Sequence, residues 1–266
     1  RDHGRVQVDR DRLGPAAVTF DHAALKPLLA GGEAAAGDRA RPIIREAVGD
    51  GQRAPVAADE GWAYRNNAEF HPAAEGGLGF RRAGDVGGVM PIDFCLILHP
   101  ELSDLYDLID LDVEGLKRLV LRVGTTTGDR LVGFEMEEDK PPAVEVDETV
   151  SCVLLLEEGG YANLIGDNFL TEEAVGHAYR ISASSFFQVN TAQAEKLVAL
   201  ALDYLDLGAE ETVLDAYCGV GLFTVPLTER AELVVGIESS PSAVDDLLVN
   251  TEGVENVEII EGPVED

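Results

Sequence analysis

Asp215-Ala-Tyr-Cys-Gly219-Val-Gly221 is the stretch whose residue types and spacing are best suited to chemistry. It ends an apolar, strand-like run, and Glu238 ends the next such run, 17 residues after Gly221. Glycines let a backbone approach a ligand where a Cβ would clash, and a carboxylate after the second strand can accept from both hydroxyls of a ribose. Such a pair serves a dinucleotide or S-adenosylmethionine. A dinucleotide fingerprint would place a third Gly or Ala where Thr224 stands. The plain alternative is a tight turn that packs a helix on a sheet and holds no ligand.

Upstream lies a second cluster, Arg180-Ile-Ser-Ala-Ser-Ser-Phe186-Phe187-Gln188-Val-Asn190-Thr191. Asn190 and Gln193 have the spacing of a helix-opening capping box. Ala194, Leu197, Val198, Ala201, Leu202 and Leu205 then form one apolar stripe, which predicts a helix over 191–206. After a turn at Leu207-Gly208 the runs TVLDAYCG, LFTVPLTER, LVVGIES, PSAVDDLLVN and VEIIEG read as β-α-β-α-β. That is the opening of a mostly parallel sheet with helices on both faces. Three strands leave such a sheet unfinished, and an unpaired edge predicts association or aggregation of the isolated chain.

The elements before this have another rhythm. LKRLVLRVG and RLVGFEM flank the turn TTTGD, and SCVLLL and YANLIG flank EEGG, which predicts two strand pairs. PELSDLYDLIDL carries Leu102, Leu105, Leu108 and Leu111 as the apolar face of a helix. Pro15, Pro27, Pro42 and Pro55 break up the first residues into short pieces. The expected organisation is a peripheral segment at 1–58, an α+β middle domain at 59–178 and an α/β unit at 179–266. No internal repeat is evident.

The charge is uneven. Residues 1–100 carry 14 acids against 12 bases, whereas 101–266 carry 36 against 8, within a net charge of −30. A nucleic acid is therefore expected on the near-neutral first part, where Tyr64-Arg65-Asn66 and Phe80-Arg81-Arg82 put aromatics beside guanidiniums. A strand edge with its arginines on carboxylates is the alternative. The acidity itself suits solubility, or a high-salt setting in which carboxylate repulsion is screened. Cys95, Cys152 and Cys218 are scattered, with no CxxC, so neither a disulfide framework nor a zinc site is expected. His71 and His99 have no clustered partners, and no metal site is expected. With no apolar run near 18 residues and no signal-peptide core, the chain reads as a soluble, cytoplasmic protein with no membrane contact.

SASSFFQVNTAQAEKL, VLDAYCGVGLFTVPL, VVGIESSPSAVDD and NVEIIEGPVED together resemble the RNA (uracil-5-)-methyltransferases. YRNN at 64–67, GFRR at 79–82, IDFCLILHP at 92–100 and NLIGDNFLTE at 163–172 extend the resemblance upstream. It implies an α/β, Rossmann-like S-adenosylmethionine-dependent methyltransferase domain, represented by its first three strands, behind the α+β middle domain. It also implies methylation of uridine C5 in RNA, ribosomal RNA above all. Uracil C5 is a poor nucleophile. In the family a cysteine thiolate adds to C6 and a carboxylate later removes the C5 proton. Both residues are expected beyond Asp266, so this chain alone is expected to be inactive. Carried over, Gln188 contacts the cofactor, Tyr217 lies beside its glycine turn with Gly219 and Gly221, and Glu238 holds the ribose. Asp215 either orients the turn or touches the methionine end. At least one of Phe186 and Phe187 is expected in the core, and Asn190 as a helix cap. Tyr64, Arg65, Arg81 and Arg82 are the RNA-facing candidates.

The chain departs from the family in three places. Gly262-Pro263 replaces the side chain that accepts from the adenine amino group, and Glu265 and Asp266 are expected out of register for that role. Asn67 stands where a basic residue is usual. Cys95 matches one ligand of the iron–sulfur cluster that many members bind, but residues 1–94 hold no cysteine, so no cluster is expected. Cys218 is expected to pack rather than react. The competing readings are a methyltransferase for proteins or small molecules, and a noncatalytic remnant that binds RNA or cofactor.

Overall fold

The computed structural model describes residues 18–21 (backbone only), 56–85, 87–109, 114–138, 140–145, 149–157 and 160–265. A seven-stranded sheet forms the middle of the molecule, in the order β4-β3-β2-β5-β6-β7-β8. Its strands are β2 (Asn67–Pro72), β3 (Leu78–Arg81), β4 (Val89–Pro91), β5 (Leu116–Val123), β6 (Arg130–Met136), β7 (Val150–Leu155) and β8 (Tyr161–Ile165). The two expected strand pairs are both present and antiparallel, while β6 and β7 join them in parallel.

The central strands are apolar almost throughout because both faces of this sheet are covered. Leu119, Leu121, Val132, Phe134, Cys152 and Leu154 point to one side and pack with Phe70, Leu102 and Leu105. Val120, Leu131, Val153 and Leu155 point to the other and join the C-terminal core. The two-residue period thus splits one sheet between two cores.

Helix α1 (Pro100–Asp107) buries only Leu102 and Leu105 of the expected four-leucine face. Leu108 caps the helix and is 69% exposed, and Leu111 lies outside the described residues. Strict three-residue spacing falls about 60° behind the helix every step, so such a stripe winds off the buried face after two residues.

A hairpin of β9 (Phe169–Ala174) and β10 (His177–Ser182) leads into α2 (Thr191–Leu205). The expected boundary at 178/179 falls within β10. Asn190 caps α2 as expected, its Oδ1 accepting from the Gln193 N–H at 3.0 Å. The return arm of the capping box is not made: Gln193 Nε2 donates to the Val56 carbonyl instead. The stripe from Ala194 to Leu202 is buried.

The C-terminal sheet is parallel, with β11 (Thr212–Ala216), β12 (Leu233–Glu238) and β13 (Val257–Glu261) interleaved by α3 (Thr224–Thr228) and α4 (Pro241–Asn250). A fourth strand, β1 (Val18–Asp21), runs parallel to β11 on its other side. The segment expected to be peripheral therefore contributes a strand. No helix among the described residues is long and apolar enough to cross a membrane.

Candidate functional site

At the C-terminal end of β11 the chain turns through residues 217–221, with positive φ at Tyr217 (62°), Gly219 (56°) and Gly221 (96°). The two glycines do different work. A Cβ on Gly219 would meet nothing within 4 Å, so its backbone borders open space. One on Gly221 would come within 2.5 Å of Leu247 Cδ1, so this glycine seats α4 against the turn. Tyr217 accepts a left-handed backbone without a glycine's freedom, a strain that structures retain where surroundings impose it.

Glu238, at the end of β12, faces the turn. Its Oε2 accepts from the Gly219 N–H at 2.9 Å, and its Oε1 accepts from the Ser239 and Ser240 N–H groups at 2.8 Å each. A carboxylate offers about four acceptor sites, so one remains open on Oε2 for a hydroxyl. Asp215 is fully buried and accepts from Thr224 Oγ1 at 2.6 Å, joining the strand end to the first turn of α3. Cys218 is buried beside it. Burial, reinforced by the nearby charges of Asp215 and Glu238, pushes its thiol far above its ordinary value. A thiol so placed is a packing group.

Tyr217 is 38% exposed, and its hydroxyl donates to Glu265 Oε1 at 2.8 Å. That bond holds the Glu265 carboxyl below its usual range. Glu265 thus reaches the turn through Tyr217, and Asp266 lies outside the described residues. Beside it the Gly262 N–H donates to the Glu238 carbonyl at 2.9 Å.

The cluster 180–191 is held to this turn by residues that sequence reasoning did not single out. Asp246 of α4 is fully buried and accepts from the Ser182 N–H at 2.7 Å, Ser182 Oγ at 2.7 Å and Ser185 Oγ at 2.6 Å. Arg180 Nε sits 3.2 Å from its Oδ1, an ionic contact not aligned as a hydrogen bond, while the guanidinium lies over the Phe169 ring. Burial raises the Asp246 carboxyl above its ordinary value, opposed by these donors. One helical turn on, Asn250 exchanges hydrogen bonds with the Arg180 backbone and donates to the Val220 carbonyl at 2.8 Å, tying β10 to the glycine turn. The spacing of 246 and 250 puts both on one helix face, the signal that could have found them.

From the other side comes Arg122 of β5, a buried charged residue on the sheet face that meets the C-terminal core. It donates to the Ser182 and Ala183 carbonyls at 2.8 and 3.2 Å, and burial lowers its guanidinium to about 10. Glu172, 1% exposed, accepts from the Thr125 and Thr126 N–H groups and from the hydroxyls of Thr125, Thr126 and Thr191. Phe187 is buried against Tyr179, as expected of one of the two phenylalanines, whereas Phe186 is 53% exposed. Gln188 is half-buried.

The arginine-bearing edge is more open. Arg65 Nε donates to the Asn67 carbonyl, and Arg81 Nε donates to His71 Nε2 at 3.1 Å. His71 Nδ1 faces the Lys117 carbonyl at 3.0 Å, which assigns the ring proton to Nδ1. His99 Nδ1 accepts from the Glu101 N–H and caps α1. Among the described residues no carboxylate pairs with Arg65, Arg81 or Arg82. Tyr64 is half-buried, and Trp62, passed over in the sequence, is 60% exposed.

No three potential metal ligands converge among the described residues. Cys95 lines a cavity of about 220 Å³ with Ile92, Phe94 and Tyr106, and Cys152 is buried in β7 with its thiol pushed up to about 11. These residues do not fit an iron–sulfur cluster.

A parallel sheet with a glycine turn after one strand and a carboxylate after the next defines a Rossmann-like unit, here behind a β-rich domain. A tRNA (uracil-54, C5)-methyltransferase of Pyrococcus abyssi, solved with S-adenosyl-L-homocysteine, shares the fold with a TM-score of 0.61 at 23% identity, over 76% of this chain and 57% of that one. A family model described as tRNA (Uracil-5-)-methyltransferase matches residues 167–266. An uncharacterized RNA methyltransferase of Streptomyces avermitilis is 34% identical over 230 residues, 83% of this chain and 53% of its own length. Another, of Lactobacillus johnsonii, is 41% identical over 245 residues, 79% of this chain and 53% of its own. The chain belongs to the RNA (uracil-5-)-methyltransferase family and spans about half the length of these relatives.

Proposed function

We propose that the protein transfers a methyl group from S-adenosylmethionine to C5 of a uridine in RNA, with ribosomal RNA the first substrate class to test. The observation that carries this reading is the turn at 217–221 facing the Glu238 carboxylate, with Gly219 N–H and Glu238 Oε2 2.9 Å apart. Open space at Gly219 and the remaining acceptor site on Glu238 fit the cofactor. Glu238 would accept from a ribose hydroxyl, Tyr217 would lie along the cofactor, and Gly219 and Gly221 would let the backbone approach it. Gln188 would offer its amide, and Asp215 would keep the turn in place through Thr224. When bound, the cofactor supplies an electrophilic methyl group on sulfur.

Tyr64, Arg65, Arg81 and Arg82 would meet RNA. Among the described residues Arg65, Arg81 and Arg82 have no carboxylate partner, which favours this over a strand edge neutralised internally. We place the cysteine that adds to C6, and with it the base that removes the C5 proton, outside residues 1–266: Cys152 and Cys218 are buried, unreactive thiols, and Cys95 packs on the core of the middle sheet rather than on that of the C-terminal one. The test is transfer of labelled methyl from S-adenosylmethionine to ribosomal RNA by the full-length protein, with transfer RNA alongside and nucleoside analysis of the product. 5-Methyluridine is expected. A folded protein that binds cofactor but methylates neither RNA would leave the noncatalytic reading in its place.

A further inference from the structure

Two stretches far apart in the chain, YRNN at 64–67 and the segment around Gln188, meet at one residue. Asn66 is 6% exposed. Its backbone N–H donates to the Val189 carbonyl at 3.0 Å, and its side-chain amide donates to the Gln188 carbonyl at 3.0 Å and to Thr191 Oγ1 at 3.1 Å. Its own carbonyl accepts from the Val123 N–H at 2.9 Å, anchoring it to the central sheet. Asn66 thus holds two consecutive carbonyls of the segment that carries Gln188 and Phe186, that of Val189 with its backbone N–H and that of Gln188 with its side chain. Immediately before it stand Tyr64 and Arg65, whose backbone runs beside Ile97 and Leu98. Asn66 therefore joins the two stretches: its side chain holds the Gln188 segment, and its backbone continues directly into Tyr64–Arg65.

A segment that two ligands both need ordered is paid for once, by whichever binds first. We propose that Asn66 is a positioning residue that couples the two faces, so that RNA engaging Tyr64–Arg65 and cofactor engaging the Gln188 segment each bind more tightly when the other is present. This rests on the reading of the two faces given above. Linkage makes the effect reciprocal: the factor by which RNA tightens cofactor binding equals the factor by which cofactor tightens RNA binding.

The experiment is calorimetric titration of S-adenosylhomocysteine into the full-length protein, with and without a saturating uridine-rich RNA oligonucleotide, followed by the converse titration. A tightening of roughly 5-fold or more, equal in both directions, is expected of the wild type. Asn66→Ala should bring the factor close to one. Asn66→Asp, which keeps the side chain's size and loses its donors, serves the same purpose if the alanine variant does not fold. A merely structural role would lower the melting temperature of both variants and leave the factor unchanged, which would overturn the proposal. Independent binding of both ligands by the wild type would overturn it while leaving the proposed function standing. Failure of a folded wild type to bind either ligand would overturn the proposed function, and the coupling with it.

Discussion

The carboxylates of the two halves are used in opposite ways. In the middle sheet they face cations: Glu69 and Glu135 hold Arg118, Glu135 and Glu157 hold Lys117, and Glu101 holds Arg130. Around the C-terminal sheet they mostly face hydroxyls and backbone N–H groups: Asp215 holds Thr224, Asp246 holds Ser182 and Ser185, and Glu238 holds Gly219, Ser239 and Ser240. Composition favours the difference, since residues 179–266 carry 17 acids against 3 bases, whereas 59–178 carry 25 against 8. A carboxylate bound to neutral donors fixes a backbone in place without a counter-ion. One bound to arginine gains a neighbour that salt can screen.

The largest expected effect follows from emptying the buried C-terminal network. Asp246→Ala strands a backbone N–H, two hydroxyls and Arg180, and should cost about 3–5 kcal/mol in denaturant unfolding. Gly221→Ala meets Leu247 in a left-handed backbone and should cost about 1–3 kcal/mol, with cofactor affinity falling alongside stability. An unfolding midpoint within error of the wild type would remove the turn from its supporting role.

Acid should separate one carboxylate of each region, Asp246 and Glu101, by sign. Burial raises the Asp246 carboxyl, so its contribution is fully present below the ordinary carboxylate value and is lost as pH rises through the folded value. The hydrogen bond and charge of Arg130 lower the Glu101 carboxyl, so its contribution is present above the ordinary value and is lost as pH falls through the folded one. Unfolding free energies of Asp246→Asn and Glu101→Gln between roughly pH 3 and 7 should therefore differ from wild type with opposite slopes. Parallel slopes would contradict the contrast. The smallest effect is expected at the arginine edge: Arg81→Ala should weaken RNA binding evenly across sequences and reduce the salt slope by about one. An unchanged slope would take Arg81 out of the interface.

What could be read from the sequence was whatever the chain decides locally. The α2 stripe, its Asn190 cap and the glycine turn each sit within a few residues of their own cause, and the order β-α-β-α-β follows from period and turn chemistry. The parallel pairing of β6 with β7 was not legible, because nothing local distinguishes the neighbour a buried strand selects. Nor was β1, four residues among prolines whose only distinction is the strand they join. Asp246, Glu172 and Arg122 were hidden for a related reason: a charged residue reads as surface until its distant donors and acceptors are known. Cys218 shows the reverse, a reactive residue type disarmed by burial in a turn whose glycines announced it.

The central claim is that the turn at 217–221 and Glu238 form a cofactor site. Its most direct test is calorimetric titration of S-adenosylhomocysteine into the wild type and Glu238→Ala, with cooperative unfolding confirmed for both. Saturable one-to-one binding, weakened by about 1–3 kcal/mol in the variant, is the expected result. Equal affinity in the two proteins, or no binding by a folded wild type, would contradict it.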